Sequence, residues 1–181
     1  MNLWITGYRS YELGVFQNND PKVAIIKSAL KKAIINQIEQ GFQWVLTGAQ
    51  LGIEQWTIEA VLELKPEYPE IKIGVLTPYQ AFGSNWQPEK QAHLAQLCSQ
   101  VDFYEAISQQ PYTSPQQFKN YQRFMLEHTS SALLVYDPEY PGKSEYDYRD
   151  LQEFSQENDY QLLLIDMYDL QEAAQNFQET D

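Results

Sequence analysis

Trp44-Val45-Leu46-Thr47-Gly48-Ala49-Gln50-Leu51-Gly52-Ile53-Glu54 is the stretch that decides how this chain folds. An apolar, β-prone run ends at Thr47, and a turn with glycines at 48 and 52 follows. Then Ile53, Trp56, Ala60, Val61 and Leu64 recur at helical spacing. The turn therefore joins a strand to a helix. Without Cβ atoms, Gly48 and Gly52 let the backbone turn tightly and let a ligand approach it. A helix starting there offers unpaired N–H groups and the positive end of its dipole, a nest for a phosphate, ribose or carboxylate. The plainer alternative is a turn whose glycines only allow close helix–sheet packing. Glu54, in the first helical turn, either complements the dipole or meets ribose hydroxyls or an activated water.

On the N-terminal side, Leu3-Trp4-Ile5-Thr6 reads as a buried strand closed by Gly7, and residues 8–19 as a long loop of the kind that often carries function. Arg9, one of three arginines, sits where a first βα loop faces a ligand, unless it pairs with Glu12. Asp20-Pro21 starts a helix whose Val23, Ile26, Leu30, Ile34 and Ile38 form one face, stopped by Gly41. The second strand spans Phe42 to Thr47. Downstream come strands at Ile71–Leu76, Val101–Tyr104, Ala132–Tyr136 and Gln161–Ile165. Between them lie helices beginning at Pro88, Ser114-Pro115 and Ser144, and Asp169 caps a terminal helix.

Strands alternating with helices predict an α/β, Rossmann-like, doubly wound and mainly parallel sheet of about six strands, with helices on both faces, as one domain over 1–181. Such sheets bind ligands beyond the carboxyl ends of their strands, where the strand order switches. Topology puts the loops after strands one, two, three and five on that rim. The candidate ligand-binding residues are Gly7, Arg9, Thr47, Gly48, Gln50, Gly52, Glu54, Thr77, Trp86, Asp137 and Lys143, with Glu54 also the candidate catalytic group.

Other patterns carry less. Asp137 to Ser144 ends like a P-loop, but Asp137 replaces its first glycine, and Pro138 and Pro141 have no N–H for phosphate. Ser144 with Asp147 is a ready capping box, which is the reading taken here. His93 and His128 have no neighbour at metal-ligand spacing, so no metal site and no cofactor is predicted. Cys98 reads as a small core residue. The exposed aromatics of the loop from Thr77 to Gln87 could stack on a ring or pack on their own domain.

Charge and composition narrow the function. The net charge of −13, with the twelve basic residues scattered, disfavours nucleic acid as a partner. No apolar run approaches a membrane span, no signal peptide is evident, and one cysteine fits a reducing compartment, so a cytoplasmic protein is expected. Homo-oligomerisation stays open.

Several motifs occur in order: Ile5-Thr6-Gly7-Tyr8-Arg9-Ser10 with Glu12-Leu13-Gly14, Thr47 to Trp56, Thr77-Pro78 with Asn85-Trp86, Pro111 to Lys119, and Tyr136-Asp137-Pro138-Glu139. Together they resemble the YpsA-like family of the SLOG superfamily of Rossmann-like proteins, which also holds DprA/Smf and the LOG-type nucleoside-monophosphate phosphoribohydrolases. The resemblance implies a nucleotide-type ligand, with Gly48, Gly52 and Glu54 in a glycine-acid loop and Arg9 opposite. LOG-type hydrolases carry P-G-G-x-G-T-x-x-E, whereas Tyr140-Pro141-Gly142-Lys143-Ser144-Glu145 lacks the glycine pair and the threonine. Three functions follow as expectations: a nucleotide or nucleotide-sugar binding protein, a hydrolase of nucleoside or ADP-ribose bonds using Glu54, and a DprA-like nucleic-acid accessory protein.

Overall fold

The computed structural model describes residues 1–180, with side chains through Gln178. Strands β1 (Asn2–Gly7), β2 (Trp44–Thr47), β3 (Lys72–Thr77), β4 (Phe103–Ala106), β5 (Ser131–Val135) and β6 (Gln161–Ile165) form one wholly parallel sheet in the order β4-β3-β2-β1-β5-β6. The helices are α1 (Pro21–Glu39), α2 (Ile53–Leu64), α3 (Pro88–Cys98), α4 (Gln116–Glu127), α5 (Glu145–Glu157) and α6 (Met167–Thr180). The chain steps outward from β1 to β4, and α4 then carries it back to β5 on the other side of β1. Right-handed crossovers consequently put α1, α2 and α3 on one face and α4 and α5 on the other. The switch in strand order falls between β1 and β5.

The central strands are apolar on both faces because helices cover both. Leu3, Ile5, Ile73, Val75, Leu133 and Leu134 are all buried. Helix α1 begins where expected: the Asp20 carboxylate accepts the Lys22 N–H at 2.9 Å, and Pro21 takes the first turn. Its Val23, Ile26, Leu30 and Ile34 pack inward. No helix among the described residues is long and apolar enough to cross a membrane.

Several elements differ from the sequence expectation, among them β2, which starts at Trp44 rather than Phe42. The loop at 8–19 contains a short 3-10 helix, Ser10–Leu13. Strand β4 starts two residues later than expected. The Asp102 carboxylate is spent on the Ile73 N–H and on Lys65, closing the turn before the strand. The last helix starts at Met167, capped by Asp166 rather than Asp169. Asp169 Oδ2 accepts the Asp166 N–H at 3.0 Å, and Asp166 Oδ1 accepts the Asp169 N–H at 2.9 Å, a reciprocal pair.

Three loops at the carboxyl edge are bolted into one body. Arg9 and Gly52 form an antiparallel bridge, with Ser10 N–H donating to Leu51 O and Ile53 N–H to Tyr8 O, both at 3.1 Å. The Glu12 carboxylate accepts the Arg9 and Lys143 N–H groups, each at 2.7 Å. The Tyr8 hydroxyl donates to Tyr140 O at 2.7 Å and accepts from the Asp137 N–H at 2.9 Å. Burial pushes this phenol up to about 12, so it stays protonated as a donor.

Gly52 is the keystone of this frame. Its φ is +116°, and a Cβ there would stand 2.5 Å from Ser10 N and 2.6 Å from Tyr8 O. Gly52→Ala is expected to lower stability by about 1–3 kcal/mol, the cost of holding a side chain in that backbone region. The check is the urea midpoint, which should fall with an unchanged m value. A wild-type midpoint would show that the bridge carries no strain-sensitive contact.

Candidate functional site

A cleft of about 110 Å³ opens beyond the ends of β1 and β2, at the switch point. Its floor is Thr6, Gly48 and Glu54. Arg9 and Lys143 stand on the β1 and β5 loops, Asp147 comes from α5 and Tyr121 from α4. Phe82 and Phe118 form an apolar side. A larger hollow of about 480 Å³ lies between α1 and α6. The small cleft is where half-buried acids, a guanidinium and an unpaired hydroxyl converge.

Glu54 is held from two sides. Its Oε2 accepts the Thr6 hydroxyl at 2.8 Å and its Oε1 the Gln50 N–H at 2.9 Å. Burial raises it above the usual carboxylate range, against the opposing pull of these bonds and of Arg9. Asp147, like Glu54, is half-buried, and its Oδ1 accepts Gln122 Nε2 at 2.8 Å. Burial and the nearby Glu54 push it from 3.8 up to about 6, with Gln122 and Arg9 opposing. The Tyr121 hydroxyl is buried with no hydrogen-bond partner and is raised well above 10 by burial beside Glu54 and Asp147. Such an orphaned group marks a place where a partner belongs.

The cations are unspent. Among the described residues, neither the Arg9 guanidinium nor Lys143 Nζ makes a hydrogen bond or an ion pair within 4 Å. The expected alternative, a pair between Arg9 and Glu12, does not form, because Glu12 is occupied by backbone N–H groups. Two donors and two half-buried acceptors thus face one small space.

Of the residues singled out in the sequence, Gly7, Arg9, Gly48, Gln50, Glu54 and Lys143 meet in this cleft. The other five do not line it. The hydroxyl of Thr47 donates to Ile5 O at 2.7 Å and that of Thr77 to Tyr79 O at 3.2 Å. The Asp137 carboxylate accepts the Glu139 and Met167 N–H groups. Trp86 packs edge-on against Phe82. Gly52 lies in the frame, lining a neighbouring hollow with Gln55 and Trp56.

The amide nest expected at the start of α2 is largely closed by the protein itself. Gln50 N–H goes to Glu54, Leu51 N–H to the Gln50 side chain and Ile53 N–H to Tyr8 O. The expected Ser144–Asp147 capping box is also absent. Ser144 Oγ donates to Gly7 O at 2.7 Å, which frees Asp147 to turn into the cleft.

The sequence model of the YspA SLOG family (YpsA) matches residues 3–170. The chain belongs to this family. A UPF0398 protein of Ligilactobacillus salivarius is 52% identical over 181 residues, covering 100% of this chain and 99% of its own length. One from Levilactobacillus brevis is 54% identical over 177 residues, covering 98% and 94%. Another, from Leuconostoc citreum, is 50% identical over 177 residues, with the same coverage. The family match covers β1 from Leu3 onward, the other five strands whole and every residue of the cleft.

The sequence reading missed Thr6, Phe118, Tyr121 and Asp147 as cleft residues. Asp147 did carry a signal, an acid three residues after Ser144, but that spacing also fits a cap.

Since Asp147 holds its proton more tightly folded than unfolded, its contribution to stability is full below about pH 4 and is lost as pH rises through about 6. Asp147→Asn keeps an acceptor for Gln122. It is expected to stabilise the protein at pH 7 by roughly 2 kcal/mol and to flatten the fall in stability between pH 4 and pH 7, Glu54 supplying the remaining slope. Urea unfolding across that range is the measurement. A variant less stable than wild type at pH 7 would contradict the electrostatic account.

Proposed function

We propose that the cleft binds a nucleotide-type ligand by its sugar-phosphate. Glu54 and Asp147 accept hydrogen bonds from sugar hydroxyls, and Arg9 with Lys143 meets the phosphate. The observation that supports this most is the unpaired Arg9 guanidinium sharing the cleft with two half-buried carboxylates and the orphaned Tyr121 hydroxyl. The phosphate site in this reading is made of side chains, since the Gln50, Leu51 and Ile53 amides are already used. A volume of about 110 Å³ is below the ~300–1,000 Å³ of a pocket that encloses a drug-sized ligand. It suits a sugar or a phosphate, with the rest of the ligand outside.

Calorimetry with AMP, NAD and ADP-ribose tests this. At least one should bind wild type, and Arg9→Gln should weaken it about tenfold or more, as expected for loss of a charged hydrogen bond. Wild-type affinity in the variant, or no heat from any of the three, ends this reading.

A second reading, hydrolysis of the bond at the anomeric carbon, is favoured by Asp147 titrating near 6. One carboxylate takes a proton from water as its oxygen attacks that carbon, and a protonated one supplies the proton to the departing group. Chromatographic analysis of AMP and ADP-ribose after long incubation distinguishes it. Turnover by wild type that is lost in both Glu54→Gln and Asp147→Asn supports it, and equal turnover by all three removes both carboxylates from the chemistry.

A further inference from the structure

Beside the cleft stands an aromatic platform that the sugar-phosphate reading leaves unused. Tyr79 is its hub, with ring centroids 5.5 Å from Phe82, 5.3 Å from Tyr112 and 5.8 Å from Phe118. A cluster serving only the core would be covered, yet Tyr112 is 52% and Phe118 45% exposed. Phe118 also lines the cleft, so the cleft wall runs without a break onto the open rings.

The platform is held rigidly at some cost. Ala81, next to Phe82, is the one non-glycine residue described with positive φ, at 60°. Such backbone persists only where its surroundings enforce it. Gln80 N–H donates to Gln110 O at 3.0 Å, tying this loop to the segment that carries Tyr112. That segment is fixed in turn by the buried Gln117. Its Oε1 accepts the Thr113 and Ser114 N–H groups at 2.7 and 3.2 Å, and its Nε2 donates to Ser108 Oγ and Pro111 O at 2.9 and 3.1 Å. All four bonding positions of one side chain are used to order a loop that ends in an exposed ring.

We infer that Phe118 and Tyr112 form a stacking subsite for the base of a nucleoside monophosphate whose sugar-phosphate occupies the cleft. This rests on the cleft reading above. The cleft is too small for a whole nucleotide, so a bound one must leave it, and the aromatic wall is continuous with the cleft. A base has two apolar faces and suits open rings held in place in advance. Single-stranded nucleic acid would use the same stacking, but its backbone would have to cross a strongly acidic molecule.

The test is calorimetry with ribose 5-phosphate, AMP, GMP, CMP and UMP on wild type, Phe118→Leu and Tyr112→Leu, with melting temperatures confirming the fold. At least one mononucleotide should bind wild type about tenfold or more tighter than ribose 5-phosphate, the gain expected of one stacked base. Tyr112→Leu, outside the cleft lining, should erase most of that ratio while ribose 5-phosphate binds as before. If ribose 5-phosphate binds and no base improves it, or Tyr112→Leu weakens all five alike, the stacking subsite is wrong and the cleft reading stands. Absence of binding by all five removes the stacking subsite, and the cleft reading too if NAD and ADP-ribose also give no heat. Should the variants fold poorly, the wild-type ratio alone decides.

Discussion

The antiparallel bridge between Arg9 and Gly52 is the contact on which the carboxyl edge depends. In a parallel sheet the strands are fixed by the ladder, but the loops beyond them are not. Here the bridge locks the β1 loop to the β2–α2 turn, and Glu12 and Tyr8 lock it to the β5–α5 loop. Both groups bond backbone rather than side chains, so what they fix is the path of the chain. The Arg9 main chain is held by the bridge and by Glu12, while its guanidinium stays unpaired. With its main chain fixed, the freedom left for this donor to lose is that of its side chain.

Charge in the cleft is balanced at long range and not by contact. Arg9 lowers both Glu54 and Asp147, but burial outweighs it in each. A lone phosphate that drew the guanidinium toward itself would weaken that help and leave two desolvated acids worse off. A ligand that brings hydroxyls to the acids along with a phosphate compensates both at once. In the proposed reading, a sugar-phosphate is therefore preferred over a bare anion through the same burial that makes the site unfavourable when empty.

The fold was legible because its signals are local and repeated: apolar runs of strand length, a strand–turn–helix at 44–64, and the Asp20-Pro21 cap. The rim was legible as backbone. Side-chain direction was not, because alternate residues of a strand point to opposite faces and a loop side chain can turn back on its own backbone. Thr47, Thr77 and Asp137 reach the rim and then spend their polar atoms on main-chain groups. Asp147 was hidden for the opposite reason. Its spacing from Ser144 permits a cap, and only the tertiary partners Gly7 and Gln122 decide against it. Tyr121 and Phe118 fall on the helical stripe that also marks core residues, and periodicity cannot tell a cleft wall from a core.

The two glycines of the deciding stretch illustrate how one motif can combine separate constraints. At Gly48 a Cβ would collide with the Glu54 carboxylate and stand 2.7 Å from the Tyr121 hydroxyl, so its bareness makes the floor of the cleft. At Gly52 the obstruction would be the main chain of Tyr8, Arg9 and Ser10, and φ is positive as well, so its bareness makes the frame. The spacing between them follows from the reach of Glu54, which must start on the first turn of α2 and still return its carboxylate to Gln50 and Thr6. That return consumes an amide that a phosphate nest would need, which is why the proposed reading assigns the anion to Arg9 and Lys143.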